Sequence, residues 1–203
     1  MFVQVIQGKV SDAGKARGAL DRWNNELASG ATGYLGTTAG VTADGTLVIM
    51  ARFESEEAAR RNSERPEQDA WWKETTGLFD GEVTFHDSTK VQVDTYGNPD
   101  DAGFGRIMQG KTTDPERGWE LMQDDGGVDW QTLRPDILGT LMVAHDDGGW
   151  TMAIYFTSEA EARAGEQKEM PSEVQQQMAE LDALSAGPPQ FLDIREPWLI
   201  SAR

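Results

Sequence analysis

The order of hydrophobic and polar residues in the first half of the chain predicts alternating strands and helices. Residues 2–7 (FVQVIQ) are rich in β-branched and aromatic side chains, which is typical of a strand. The apolar residues that follow recur at a helical spacing: Ala16, Leu20, Trp23 and Leu27. Next come two predicted strands joined by a turn at Asp44-Gly45, followed by a second helix and by a last strand over residues 83–93. The predicted order is strand, helix, strand, strand, helix, strand.

The second half of the chain repeats the first half. Residues 104–111 (FGRIMQGK) match residues 2–9 (FVQVIQGK), and residues 146–163 match residues 43–60 in the same order. Such a repeat is close to a typical domain in length, so we interpret it as a duplicated unit.

The boundaries of the two units follow from composition. Residues 94–103 (DTYGNPDDAG) are rich in Asp, Asn, Pro and Gly and are predicted to form a linker. The first unit is therefore predicted at residues 1–93 and the second at residues 104–203. Pro66 and Pro171 fall at similar places in the two repeats, and we expect each to split the second helix of its unit.

The predicted element order is the split βαβ plan of ferredoxin-like domains, in which both helices cover one face of an antiparallel sheet. The strands at residues 48–53 (VIMARF) and 152–156 (MAIYF) are apolar on both faces, so the second face of each sheet must also be covered. The predicted fold class is α+β: two tandem βαββαβ units with four-stranded antiparallel sheets, packed face to face as an intramolecular pseudo-dimeric barrel. Such a chain needs no second copy to close its barrel, and further oligomerisation stays open.

The composition narrows the function classes. The 203 residues include no Cys, which excludes disulfides, iron–sulfur clusters and thiol nucleophiles. A net charge of −17 disfavours nucleic acids and anionic membranes, because both are bound by positive patches. No apolar run reaches the length of a membrane span. We therefore expect an acidic cytoplasmic protein with no nucleic-acid or membrane partner.

Two segments carry a resemblance to a known group of proteins. Residues 52–59 (RFESEEAA) are followed by Trp71-Trp72, and residues 155–162 (YFTSEAEA) repeat the first part. With the tandem plan, this pattern resembles the dimeric α+β barrel superfamily, in its antibiotic-biosynthesis-monooxygenase-like branch, and in a tandem form like that of uncharacterised actinobacterial proteins. The superfamily includes cofactor-free monooxygenases, haem-degrading enzymes, isomerases and proteins without known activity, so the resemblance implies a fold and leaves the activity open.

The haem-degrading branch can be compared residue by residue. Its enzymes place an amide on the first strand, a Trp on the second helix and a haem-ligating His soon afterwards. Gln7 and either Trp71 or Trp72 match the first two features, but residues 75–80 contain no His. We therefore expect no haem, and no other cofactor is indicated.

The candidate site residues come from the resemblance and from unusual polar positions. Gln7 and Gln109 occupy matched places on the two first strands, where an amide is either exposed beside a bulge or set to stabilise an oxyanion. His86 is the candidate general base. The ligand pocket is predicted from an aromatic and polar group: Arg52, Asn62, Arg65, Trp71 and Trp72.

Two further motifs have simpler explanations. Residues 105–112 (GRIMQGKT, from Gly105 to Thr112) match the phosphate-loop pattern, but they repeat the first strand and follow a polar linker, so we interpret them as a chance match. His86 and His145 each adjoin a carboxylate, and they could form a metal or base site only if the fold brought them together. No metal site is predicted.

Two functions remain open at the sequence level. The first is a small-molecule-binding barrel that acts as a cofactor-independent monooxygenase-like enzyme on a flat aromatic or polyketide-like compound. The alternative is a non-catalytic binding or structural protein whose barrel is filled by its own side chains.

Overall fold

The computed structural model describes residues 1–124 and 127–201, and the chain forms two compact units. The first unit contains Met1–Thr89 and the segment that begins at Glu196, and the second contains Lys90–Arg195. Each unit has its own antiparallel sheet with helices beside it.

The first unit has a five-stranded sheet in the order β10-β2-β3-β1-β4. Its strands are β1 (Phe2–Val10), β2 (Tyr34–Val41), β3 (Thr46–Phe53), β4 (Phe79–Ser88) and β10 (Trp198–Ser201). Its helices are α1 (Ala13–Glu26), α2 (Glu56–Ser63) and α3 (Pro66–Thr76), with a short 3-10 helix at Ala28–Gly30.

The second unit repeats this plan with the sheet order β5-β7-β8-β6-β9. Its strands are β5 (Val91–Thr95), β6 (Phe104–Lys111), β7 (Ile137–Ala144), β8 (Gly149–Phe156) and β9 (Gln190–Ile194). Its helices are α4 (Pro115–Gln123), α5 (Trp130–Leu133), α6 (Glu159–Gly165) and α7 (Ser172–Ala183), with a 3-10 helix at Pro99–Asp101.

The second helix of each unit is split where the sequence indicates. Ser55 caps α2 by accepting the backbone N–H of Ala58 at 3.2 Å, as a polar residue at an N-cap is expected to do. Pro66 is the first residue of α3, a position where its missing N–H costs nothing. Pro171 immediately precedes α7. The predicted splitting of both helices is confirmed.

The sheets confirm the predicted ferredoxin-like, antiparallel fold class but not the predicted strand number. Each sheet has five strands because the last predicted strand of each half of the sequence is two strands, and the second of them joins the sheet formed by the other half. Thus β5 pairs with β7, and β10 pairs with β2 from Trp198 opposite Ala39 to Ser201 opposite Gly36. The division therefore lies at Thr89/Lys90 and Arg195/Glu196, not at the predicted linker, whose first residues belong to β5.

The sheet of the first unit separates two sets of β1 side chains. Successive side chains of a strand point to opposite faces. Phe2 and Ile6 belong to the hydrophobic core formed with Leu20, Trp23 and Trp71 of the helices, so Gln4 between them faces the helices as well. Val3, Val5 and Gln7 therefore face the opposite side of the sheet.

Candidate functional site

A cavity of about 290 Å³ lies between the sheet and the helices of the first unit. This volume is at the lower end of the range for small-molecule pockets. Its aromatic lining consists of Trp23, Tyr34, Phe53, Trp71, Trp72 and Phe85. Its polar lining consists of Gln4, Thr37, Asn62, Ser63 and Gln68. None of the lining residues carries a charge at neutral pH, so the cavity suits an uncharged ligand with flat apolar faces.

A row of aromatic rings leads from the buried end of the cavity to solvent. The Trp71 ring lies 6.0 Å from that of Trp72, and Trp72 meets Phe85 edge-to-face at 5.6 Å. Phe85 lines the cavity and is 47% exposed, so it lies at the mouth. Flat ligands pack well against offset and edge-on rings of this kind.

Hydrogen bonds from two indoles hold the helical wall of the cavity in place. Trp71 Nε1 donates to the carbonyl of Ala19 at 2.9 Å, and Trp23 Nε1 donates to Gln68 Oε1 at 2.5 Å. These bonds join α1 and α3 from both sides, so the indole rings have fixed orientations. A rigid wall reduces the ordering cost of binding a ligand.

Asn62 presents an amide donor to the cavity. It is 6% exposed, and its Oδ1 accepts a hydrogen bond from Arg65 Nη1 at 2.9 Å. Because the oxygen is held by a cation, the Nδ2 side of the amide is left for the cavity that Asn62 lines. Among the residues described here, Nδ2 donates to no protein acceptor. Arg65 itself does not line the cavity; it donates to Leu27 O at 3.1 Å and pairs with Glu67.

Tyr34 and Thr37 form a second polar group, on the sheet side of the cavity. The Tyr34 hydroxyl donates to Thr37 Oγ1 at 2.7 Å, and the Tyr34 ring packs edge-on against Trp23 at 4.8 Å. Burial raises the pKa of Tyr34, and the Thr37 hydrogen bond and the charge of Arg52 offset only part of this effect. Tyr34 is therefore a neutral phenol throughout the physiological pH range.

The structure brings three of the predicted site residues together and separates the others from them. Asn62, Trp71 and Trp72 line the cavity. Gln7, Arg52 and His86 do not, because strand alternation places them on the other face of the sheet: in the register Gln7 lies opposite Val48, Arg52 opposite Val3, and His86 opposite Val5. The predicted grouping of these residues with the Trp pair therefore does not form.

The remaining predicted residues belong to the second unit. Gln109 Nε2 donates to Thr151 Oγ1 at 3.2 Å, and Thr151 also contacts His145 Nε2 at 3.0 Å. His86 lies in the first unit and His145 in the second. Within residues 1–124 and 127–201, no group of three or more His, Cys, Asp or Glu side chains is arranged to hold a metal ion.

The second unit has a charged group where the first has its cavity-lining amide. Arg106 occupies the repeat position of Gln4 and forms ion pairs with Asp193, at 2.8 Å, and with Glu166. Its guanidinium also lies 5.5 Å from the centre of the Phe191 ring. The two halves of the repeat have thus diverged at the position that contributes to the cavity.

The phosphate-loop match from Gly105 to Thr112 has the wrong backbone conformation for binding phosphate. Its residues 105–111 lie within β6, paired residue by residue with β8 on one side and partly with β9 on the other. A phosphate loop needs backbone N–H groups that point at the ligand and a helix directly after them, but here the strand ladder occupies the backbone and α4 begins only at Pro115.

Thr112 stands where a phosphate loop places the hydroxyl that holds the magnesium ion. In this structure its hydroxyl donates to the carbonyl of Leu184 at 3.2 Å, and its backbone forms an isolated bridge with Ser185. Thr112 therefore joins the end of β6 to the segment after α7, which is a structural role and not that of a nucleotide ligand.

Sequence reasoning missed several residues of the cavity, notably Gln4, Tyr34, Thr37 and Gln68. For Gln4 a signal existed: it alternates with Phe2 and Ile6 on a strand whose buried face is apolar. Tyr34 and Thr37 have no local signature, because Tyr and Thr are ordinary strand residues.

Comparison with known proteins finds similarity in structure. No family model and no curated protein matches the sequence. Among solved structures, the chain resembles a candidate monooxygenase from Fusobacterium nucleatum with a TM-score of 0.75 and 12% identity, over 98% of this chain and 94% of that one. For a candidate monooxygenase from Lactobacillus acidophilus the TM-score is 0.70 with 9% identity and 98% of both chains covered. For an anthrone oxidase-like protein it is 0.69 with 11% identity, over 99% of this chain and 92% of that one.

These similarities span the whole tandem arrangement at identities too low to indicate more than fold. Within the described residues, no helix is long and apolar enough to cross a membrane. The chain shares the fold of these three proteins, with two ferredoxin-like units in one polypeptide.

Proposed function

We propose that the cavity of the first unit binds a flat, uncharged aromatic compound, and that the protein oxidises this compound with dioxygen without a cofactor. The observation that carries the proposal is the lining itself: aromatic walls, an amide donor at Asn62 and no charged side chain. The names of the structural neighbours, two candidate monooxygenases and an anthrone oxidase-like protein, support the oxidative part.

The proposed chemistry relies on the acidity of the substrate. No lining side chain is a base at neutral pH, because Tyr34 is held neutral and the other polar groups are amides and hydroxyls. A suitable substrate is a ring methylene flanked by aromatic rings and conjugated with a carbonyl. It loses two hydrogens, one oxygen atom of O2 becomes the new carbonyl oxygen, and the other leaves as water. Asn62 Nδ2 would stabilise the enolate oxygen that forms when the methylene loses its proton.

The same lack of a base favours a second candidate, a binding protein that does not transform its ligand. Both candidates predict an aromatic ligand in the cavity, and they differ only in turnover. Oxygen consumption in the presence of ligand therefore separates them.

The experiment uses the full chain with anthrone as the probe. Binding is followed by quenching of Trp fluorescence, and turnover by an oxygen electrode together with the absorbance of anthraquinone. We expect Asn62→Ala to weaken binding or turnover by roughly tenfold, which is the loss of one good hydrogen bond. Gln7→Ala is the matched control, because it removes an amide from the opposite face of the same sheet, and it should have no effect.

Each outcome has a defined meaning. Binding with oxygen uptake above the uncatalysed rate supports the enzyme, and binding without it supports the binding protein. If wild-type protein does not bind the probe, or if Asn62→Ala and Gln7→Ala behave alike, the cavity is not the functional site.

A further inference from the structure

The hydroxyl of Thr37 is a buried hydrogen-bond donor with an unused proton. Thr37 is 5% exposed and lines the cavity. Its Oγ1 accepts the hydrogen bond from Tyr34, which occupies an oxygen lone pair and leaves the Thr37 proton to be donated elsewhere. In the part of the chain that the structure describes, this hydroxyl donates to no protein acceptor. Because Thr37 lines the cavity, its hydroxyl proton can be donated to an acceptor that enters there.

Tyr34 fixes the direction in which Thr37 can donate. Its ring is held edge-on by Trp23 at 4.8 Å and by Phe53 at 5.6 Å, so its hydroxyl has little freedom to move. A neutral phenol is a stronger hydrogen-bond donor and a weaker acceptor than an aliphatic alcohol, so Tyr34 is the donor of the pair and Thr37 is the acceptor. A hydroxyl that accepts one hydrogen bond also becomes a stronger donor in the next one.

In the second unit the equivalent threonine has a hydrogen-bond acceptor within the protein. Ile137 stands at the repeat position of Tyr34, and Thr140 stands at that of Thr37. The Thr140 hydroxyl donates to Asp94 Oδ2 at 2.8 Å. The same threonine is thus satisfied within the protein in the second unit and left with a free proton in the first.

We propose that Thr37 is the specificity-determining residue of the cavity: its hydroxyl donates to an oxygen of the aromatic ligand, and Tyr34 is the positioning residue that orients it. The inference rests on the proposed binding function and narrows it. Asn62 on α2 and Thr37 on β2 supply donors from opposite walls of the cavity. The ligand class is therefore a fused-ring aromatic with oxygen acceptors at two edges, such as a quinone or a hydroxyketone, rather than a hydrocarbon or an aromatic amine.

The test compares two probes of nearly equal shape, 1,4-naphthoquinone, which carries two acceptor oxygens, and naphthalene, which carries none. Their dissociation constants for the full chain are measured by Trp fluorescence. Wild-type protein should prefer the quinone by roughly tenfold or more, because a site built around hydrogen-bond donors discriminates against a ligand without acceptors.

Three variants assign this preference to the hydroxyl pair. Thr37→Val keeps the side-chain volume and removes the donor, so it should weaken quinone binding by roughly tenfold and leave naphthalene binding unchanged. Thr37→Ser keeps the donor and should retain the preference. Tyr34→Phe removes only the group that orients Thr37 and should lower the quinone preference in part, again without changing naphthalene binding.

The possible results distinguish a failure of the Thr37 inference from a failure of the proposed binding function. If Thr37→Val weakens both probes equally, or weakens neither, the threonine has a packing role and the inference is wrong while the binding function stands. If Tyr34→Phe changes both probes alike, its positioning role is wrong. If folded wild-type protein binds neither probe, both the proposed function and the inference fail.

Discussion

Replacing Arg65 with Met should destabilise the first unit and also weaken ligand binding, because Arg65 joins the end of α1 to Asn62. Its side chain is 18% exposed and donates to Leu27 O at 3.1 Å and to Asn62 Oδ1 at 2.9 Å. It also forms an ion pair with Glu67 at 2.9 Å. Methionine retains much of the apolar packing of the stem and removes all three interactions.

The magnitude follows from these contacts. The Glu67 carboxylate is half exposed, so its ion pair adds little to stability. A hydrogen bond from a charged donor is worth about 1.5–3 kcal/mol, but water can replace part of the bond to Leu27 O at the helix end. We therefore expect the free energy of unfolding to fall by about 2–3 kcal/mol. The affinity of the protein for its ligand should also fall roughly threefold to tenfold, because the amide of Asn62 is no longer held by Arg65 and samples other orientations.

Urea unfolding followed by far-UV circular dichroism measures the first effect, and fluorescence titration with anthrone measures the second. Arg61→Met is the control, because Arg61 lies on the neighbouring α2 surface with a single 3.7 Å ion pair to Glu57 and should change stability by less than about 0.5 kcal/mol. Equal urea midpoints for the two variants would refute the stabilising role of Arg65. A loss of stability with unchanged ligand affinity would refute the claim that Arg65 orients the Asn62 amide for binding.

Two further predictions concern pH and the second unit. Binding of an uncharged aromatic probe should be constant from about pH 6 to 9, because burial raises the pKa of Tyr34 and the phenol stays protonated there; a binding transition near neutral pH in a fluorescence titration would contradict this. Above pH 10.0, the ordinary pKa of tyrosine, the unfolded state releases the phenol proton before the folded state does, so the stability of the fold should fall as pH rises further. Arg134→Met should lower the free energy of unfolding in urea by about 3–5 kcal/mol, because it leaves the Asp136 carboxylate buried without its cation. That carboxylate is 7% exposed and accepts a hydrogen bond from Arg134 at 2.7 Å. Adding Asp136→Asn should recover part of the loss, and an unchanged urea midpoint in the single variant would show that water reaches this pair.

The fold was largely predictable because the duplicated sequence contains two copies of each element. The paired matches at residues 2–9 and 104–111, and at 43–60 and 146–163, identified the strands and the hairpins independently of propensity. The exchange of β5 and β10 was not predictable in the same way. It depends on breaks at Lys90 and Pro197 after which the chain still has strand character, and strand character does not specify which sheet edge a segment joins.

The site was predicted only where the prediction did not depend on strand parity. Trp71 and Trp72 were suggested by the resemblance and Asn62 by the aromatic and polar group on the second helix, and all three line the cavity. For the strand residues, a shift of one position exchanges the two faces of the sheet, and the amide of the first strand that lines the cavity is Gln4 rather than the candidate Gln7. Arg65 was expected to touch the ligand, but its guanidinium instead donates to Asn62 and Leu27.

The exchange of β5 and β10 makes the two halves of this polypeptide unsuited to separate expression. A truncation at the Asn-Pro-Asp segment would remove β10 from the first half and leave it carrying β5 without a partner strand. The first half would then expose the N–H and C=O groups along β2, and a second half beginning at Phe104 would expose those along β7. Bare edges of this kind template aggregation. We therefore expect each half, expressed alone, to aggregate more readily than the full chain.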